Sequence, residues 1–162
     1  MSLLPANDAH WHLVLNHTPV IGSLAALLLL AWALIKNSDE SKRIALTAVV
    51  LVALFSIPAF LTGEPAEHLI KGLPGISKRW MSNHESIANT ALWVALGAGV
   101  LALAVLLYFR KRSIPRWAMG LVLVVMLAVG ALMARTANYG GKIHHPEILS
   151  TGSEATPGEV QY

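Results

Sequence analysis

The sequence predicts an all-α integral membrane protein: a four-helix up-down bundle with both termini on the outer side. Three observations carry this: four long uncharged runs, a composition 55% hydrophobic and only 13% charged, and basic residues bunched in two short loops. The runs, roughly 13–35, 44–62, 86–109 and 117–134, lie in helices expected at about 13–35, 44–62, 84–109 and 117–138, and each approaches the ~20 residues a helix needs to cross ~30 Å of hydrocarbon. A soluble domain rarely has such a composition. One transmembrane domain over residues 1–147 accounts for most of the 162 residues, and 148–162, rich in Ser, Thr, Gly, Pro and Glu, reads as a mobile tail.

The net charge of +3 does not point to nucleic acid, because of where the cations lie. Lys36, Lys42 and Arg43 fall between the first two runs, and Arg110, Lys111, Arg112 and Arg116 between the last two. Short loops rich in Lys and Arg stay cytoplasmic. The expected location is therefore a bacterial inner membrane, with the termini and the central loop periplasmic. The absence of cysteine excludes disulfides, iron–sulfur clusters and covalent c-type haem attachment. Met1–Ala9 lacks a basic leader, so the first run is read as a retained helix.

In chain order, residues 1–11 are expected to form a polar lead, with Trp11 as an interfacial anchor. Asn16-His17-Thr18-Pro19 then opens helix one, with the proline where a missing amide costs little. Pro58 predicts a kink near the outer end of helix two. Thr62-Gly63-Glu64-Pro65 reads as a break followed by a short surface helix carrying Glu67 and His68, ended by Gly72-Leu73-Pro74-Gly75. Ser82-Asn83-His84-Glu85 has capping-box spacing, which places His84 in the first turn of helix three. Below it Ala88, Ala91, Ala95, Ala98 and Ala102 make a small-residue face, suited to close helix packing or to space for a flat cofactor. Helix four is expected to stop near Asn138, with Gly140-Gly141 as its C-cap.

All seven histidines fall on the outer side. His17 is the most informative, since an ionisable group inside an apolar span is a functional-site hypothesis by default. His10 and His12, in the lead, are expected to be plain solvated residues. Helices one and three of an up-down bundle are diagonal, so His17 and His84 are expected across the core from one another. Haem iron takes axial ligands from opposite faces, so these two are the candidate ligands of a haem b. His68 and His145 are a candidate second pair, and Arg135 a candidate partner for propionates. The same face carries Glu64, Glu67 and Glu85. His17, His84 and His145 with one of these carboxylates form an alternative site for a copper, zinc or iron ion without porphyrin. No phosphate loop, HExxH or serine-elbow motif occurs, and no charge lies deep in the spans, which argues against a transporter.

Four features together resemble a broad group of uncharacterised bacterial four-helix inner-membrane proteins. They are Asn16-His17-Thr18-Pro19, Thr62-Gly63-Glu64, His84-Glu85, and Thr136-Ala137-Asn138-Tyr139-Gly140-Gly141 with the following His145. Some members of that group are fused to Rieske or cytochrome c domains, so the resemblance implies an electron-transfer setting. Three readings stay open. One is a membrane-anchored b-type haem redox subunit exchanging electrons with a periplasmic cytochrome, quinol or another redox subunit. The second is a non-haem metal protein, and the third is a cofactor-free structural or assembly subunit.

Overall fold

The computed structural model describes residues 4–144, whose regular structure is helical throughout. The helices are α1 (Asp8–Leu15), α2 (His17–Lys36), α3 (Asp39–Leu61), α4 (Gly63–Ile70), α5 (Lys78–Tyr108) and α6 (Arg116–His144). They make four segments long and apolar enough to cross a membrane: Asp8–Lys36, Asp39–Ile70, Lys78–Tyr108 and Arg116–Ile143.

The first two segments are each divided near the same end by the same device. Asn16 separates α1 from α2 and Thr62 separates α3 from α4. In both cases a proline stands three positions on, at Pro19 and Pro65. A proline offers no amide to the carbonyl four residues before it, and its ring crowds that carbonyl. The ladder is therefore interrupted at Leu15 and at Leu61, and the chain turns there. Asn16 and Thr62 keep right-handed helical dihedrals, so each break is a kink rather than a loop.

Around the bundle α2 packs on α3 and α6, and α5 packs on α3 and α6. Helices α2 and α5 are thus diagonal, as up-down connectivity requires. Leu30, Leu46, Val49, Met119, Val122, Met126 and Val129 fill the centre. The alanine face of α5 divides its work. Ala91, Ala95, Ala98 and Ala102 are buried in the packed core, while Ala88 and Ala91 border a cavity at the site end. Helices α3 and α5 approach so closely that a β-carbon on Gly99 would overlap that of Ala53. The outward faces are apolar, with Ile21 64%, Val100 69% and Val124 65% exposed. A water-soluble monomer does not show a belt of that extent, which together with the four spans marks a multi-pass membrane protein.

The basic end is tied by a polar lattice between the two short loops. Asp39 accepts hydrogen bonds from the Ile114 amide at 3.0 Å and the Ser113 hydroxyl at 3.1 Å. Buried Lys42 donates to the Ile114 carbonyl at 2.7 Å and lies 3.8 Å from Asp39. Arg43 donates to the carbonyls of Phe109 at 2.8 Å and Arg112 at 3.2 Å. The Ser38 side chain caps α3 by accepting from the Ser41 amide, and left-handed Asn37 closes α2.

The site end departs from the sequence reading in three ways. The lead is not irregular, because α1 begins at Asp8 with Asn7 as its cap. Helix α5 starts at Lys78, capped by Ser77, so Ser82 sits inside it and is no cap. Helix α6 runs through Gly140 and Gly141 to His144 instead of stopping near Asn138. One small core explains the two longer helices. Trp80, Met81 and Ile143 are buried together against Ile70, Ile76 and Tyr139, and burying such side chains is worth roughly 1.5–3 kcal/mol each.

Candidate functional site

At the end opposite the basic loops, α1 and α5 bring two histidines together from diagonal segments. The rings of His12 and His84 lie with centres 6.4 Å apart and planes at 88°. His12 Nδ1 donates to the Ala59 carbonyl at 3.0 Å and to the Thr62 hydroxyl oxygen at 3.2 Å. Ala59 is in the last turn of α3, where carbonyls have lost their intrahelical donors. The break at Thr62 therefore creates the acceptor that His12 uses. His84 Nδ1 donates to the Thr136 carbonyl in α6 at 2.9 Å. A carbonyl only accepts, so both bonds require a proton on Nδ1, which in the neutral ring leaves Nε2 with its lone pair.

Neither Nε2 has a hydrogen-bond partner among the described residues, and neither is sealed off. A neutral imidazole anchored through Nδ1–H to a backbone carbonyl, with Nε2 free, is how proteins hold a metal-ligating histidine. Glycines make the room. A β-carbon at Gly140 would lie 3.3 Å from His84 Cε1 and Nδ1, and one at Gly63 would lie 3.5 Å from His12 Cε1.

Both rings border a cavity of about 890 Å³ to which all six helices contribute. Its walls are largely apolar, with Val20, Phe60, Ala88, Leu92, Met133 and Ile143 among them. A mostly apolar chamber of this size with a few convergent polar groups is the usual form of a cofactor site.

The residues singled out from the sequence are placed as follows. His84 is half-buried at the centre of the site. His17 borders the cavity but is exposed, and its Nδ1 lies against the Asn16 side-chain oxygen. The ring opposite His84 belongs to His12. His68 is 70% exposed and pairs with Glu64 at 3.9 Å, while Glu67 pairs with Lys71 at 3.4 Å. Glu64, Glu67 and Glu85 border the cavity. Among the described residues no three His, Asp or Glu side chains gather as a metal-ion site. Arg135 turns to Tyr139, donating to its hydroxyl at 2.9 and 3.1 Å. His145 lies outside the described residues.

The sequence does not single out His12, because the proline motif reads equally well as a helix start or a mid-helix kink. The signal separating the two was in the chain. The Asn16-x-x-Pro19 spacing repeats as Thr62-x-x-Pro65, and Asn7-Asp8 supplies a cap upstream. Comparisons with protein-family models, curated proteins and solved structures found no match to this chain.

Proposed function

We propose that this protein is a membrane-anchored b-type haem protein, a redox subunit whose cofactor sits between His12 and His84 at the periplasmic face of a bacterial inner membrane. The observation that carries this reading is the pair itself: two imidazoles from diagonal segments, each fixed through Nδ1 with Nε2 free, at one apolar cavity. With ring centres 6.4 Å apart, His12 and His84 are the residues that would hold the metal. Two protein ligands suit a metal that brings four equatorial nitrogens of its own, whereas a bare ion asks for a third or fourth side chain. Haem would supply one-electron chemistry. The chain would orient it through both ring tautomers and keep water from it with the apolar walls.

The topology belongs to the same proposal. The end holding Lys36, Arg43, Arg110 and Arg112 is cytoplasmic by the positive-inside rule, which places both termini and the cavity outside. The resemblance noted above adds the electron-transfer setting.

The test is a visible spectrum of the purified protein, oxidised and dithionite-reduced, with metal analysis. A Soret band with sharp reduced α and β bands is expected, lost in His12→Ala and in His84→Ala but kept in His17→Ala. A colourless protein with stoichiometric copper, zinc or iron would replace this reading with the non-haem one. A colourless, metal-free protein that takes up no added haem would leave a structural subunit.

A further inference from the structure

The site end carries a second cluster that the cavity does not use. Trp80 of α5 and Tyr139 of α6 pair with ring centres 5.5 Å apart. Three cations lie against those two rings: Arg79 at 5.5 Å and Lys142 at 4.4 Å over Trp80, and Arg135 at 5.4 Å over Tyr139. Trp80 precedes His84 by four positions on α5 and Tyr139 follows Thr136 by three on α6. The cluster is therefore the next helical turn outward from the His84–Thr136 hydrogen bond.

Gathering three like charges costs free energy, and among the described residues no carboxylate forms an ion pair with Arg79 or Arg135. The aromatic faces offset part of the cost and hold the cations in fixed positions. They also argue against the rings relaying charge, since cations beside Trp80 disfavour removing an electron from it. Of the carboxylates of the site end, Asp8, Glu64 and Glu67 stand on α1 and α4, and Glu85 on α5 borders the cavity instead.

Height decides the class of anion. Helix α5 has 31 residues, about 46 Å at the helical rise, against ~30 Å of hydrocarbon and headgroup layers of roughly 5–8 Å on each side. Tyr108 and Arg110 mark its basic end, so for an upright helix the surplus over the hydrocarbon, about 15 Å, lies at the site end and carries Arg79 and Trp80 to the outer edge of the headgroup layer.

We infer that the surface formed by Arg79, Arg135 and Lys142 about Tyr139, with Trp80 buried beneath it, is the docking face for a water-soluble electron-transfer protein with a carboxylate-rich patch, seated one helical turn from His84. It rests on the redox reading for the partner's role but on the cluster alone for its charge. Steering by such a face raises encounter rates and falls steeply with salt.

The test uses the full chain in phosphatidylcholine nanodiscs. A fluorescent poly-glutamate peptide serves as a haem-independent probe, and ferricyanide and a cationic cobalt(III) complex serve as oxidants of the reduced protein. Combined Arg79→Gln, Arg135→Gln and Lys142→Gln should weaken peptide binding roughly tenfold at low salt. The same substitutions should slow ferricyanide and leave the cobalt complex as fast or faster, which a misfolded variant would not do. Unchanged peptide affinity in the triple variant overturns the proposal. So does a wild type that never binds the peptide while retaining phosphatidylglycerol that the variant loses, which would make the cluster a lipid-headgroup site. A chain without a haem spectrum sinks the redox reading, and the peptide arm still decides the surface.

Discussion

Gly140 stands so close to the His84 imidazole that a β-carbon there would lie 3.3 Å from both Cε1 and Nδ1. The glycine sits inside α6, where alanine would be the better helix former by about 1 kcal/mol. Its presence is therefore a cost to the helix that the histidine explains.

Gly140→Ala should separate stability from cofactor retention. The helix gains up to about 1 kcal/mol of propensity, while the ring must give by a few tenths of an ångström or lose its bond to the Thr136 carbonyl. On the haem proposal, dissociation measured by transfer to apomyoglobin should be faster in Gly140→Ala and faster still in Gly140→Val. Apo-protein stability in detergent should not fall in the alanine variant. Equal haem retention in all three proteins would mean that Gly140 does not position His84.

Gly99 and Gly97 offer a matched pair on one helix. A β-carbon at Gly99 would overlap that of Ala53, whereas one at Gly97 meets nothing within 4 Å. Overpacking a closed interface costs typically about 1–3 kcal/mol. Gly99→Ala should therefore lower stability by about that amount, and Gly97→Ala should be neutral or slightly stabilising. Denaturant titration of both variants in the same detergent checks the sign of each.

The bundle was legible because its signal is summed over whole segments: four apolar runs and two basic loops leave little choice of architecture. The site was only half legible. His84 stands out in the sequence because a polar, cap-like stretch marks the mouth of helix three, although the cap is Ser77 and Ser82 lies inside the helix. Apolar depth singles out His17 in the sequence and passes over His12. What set the partner was the kink at Asn16, which swings α1 towards α4 and places His12 on the last-turn carbonyl of Ala59. Kinks alter direction without altering hydropathy, so a composition window does not register them. The glycines at 63 and 140 were read as a break and a cap, and only the packed structure shows that they make room for imidazoles.

Lys42 is the most deeply buried cation among the described residues, at 3% exposure, and its ammonium bonds the Ile114 carbonyl at 2.7 Å. Lys42→Met keeps most of the volume and leaves that carbonyl without its charged donor. A hydrogen bond to a charged group contributes about 1.5–3 kcal/mol, so a loss of that order is expected in denaturant titration. The change lies at the opposite end from the cavity, so the haem spectrum should be untouched. A shifted spectrum would show that the two ends are coupled.

Pro19 tests whether the kink sets the site. Pro19→Ala restores an amide that can donate to the Leu15 carbonyl and removes a residue that costs a helix interior about 3 kcal/mol. The segment Asp8–Lys36 should then straighten and gain helical stability. Straightening carries α1 off α4 and draws His12 away from Ala59 and Thr62, so on the haem proposal one of the two residues that would hold the cofactor is withdrawn although neither histidine has been altered. The expected outcome is a more stable apo-protein whose reduced spectrum changes from sharp six-coordinate α and β bands to a broad five-coordinate form, or which holds no haem. Pro65→Ala should act in the same direction by extending α3 through Thr62 and occupying the Ala59 carbonyl with the Gly63 amide. A six-coordinate spectrum retained in both variants would show that His12 reaches the site without help from either proline.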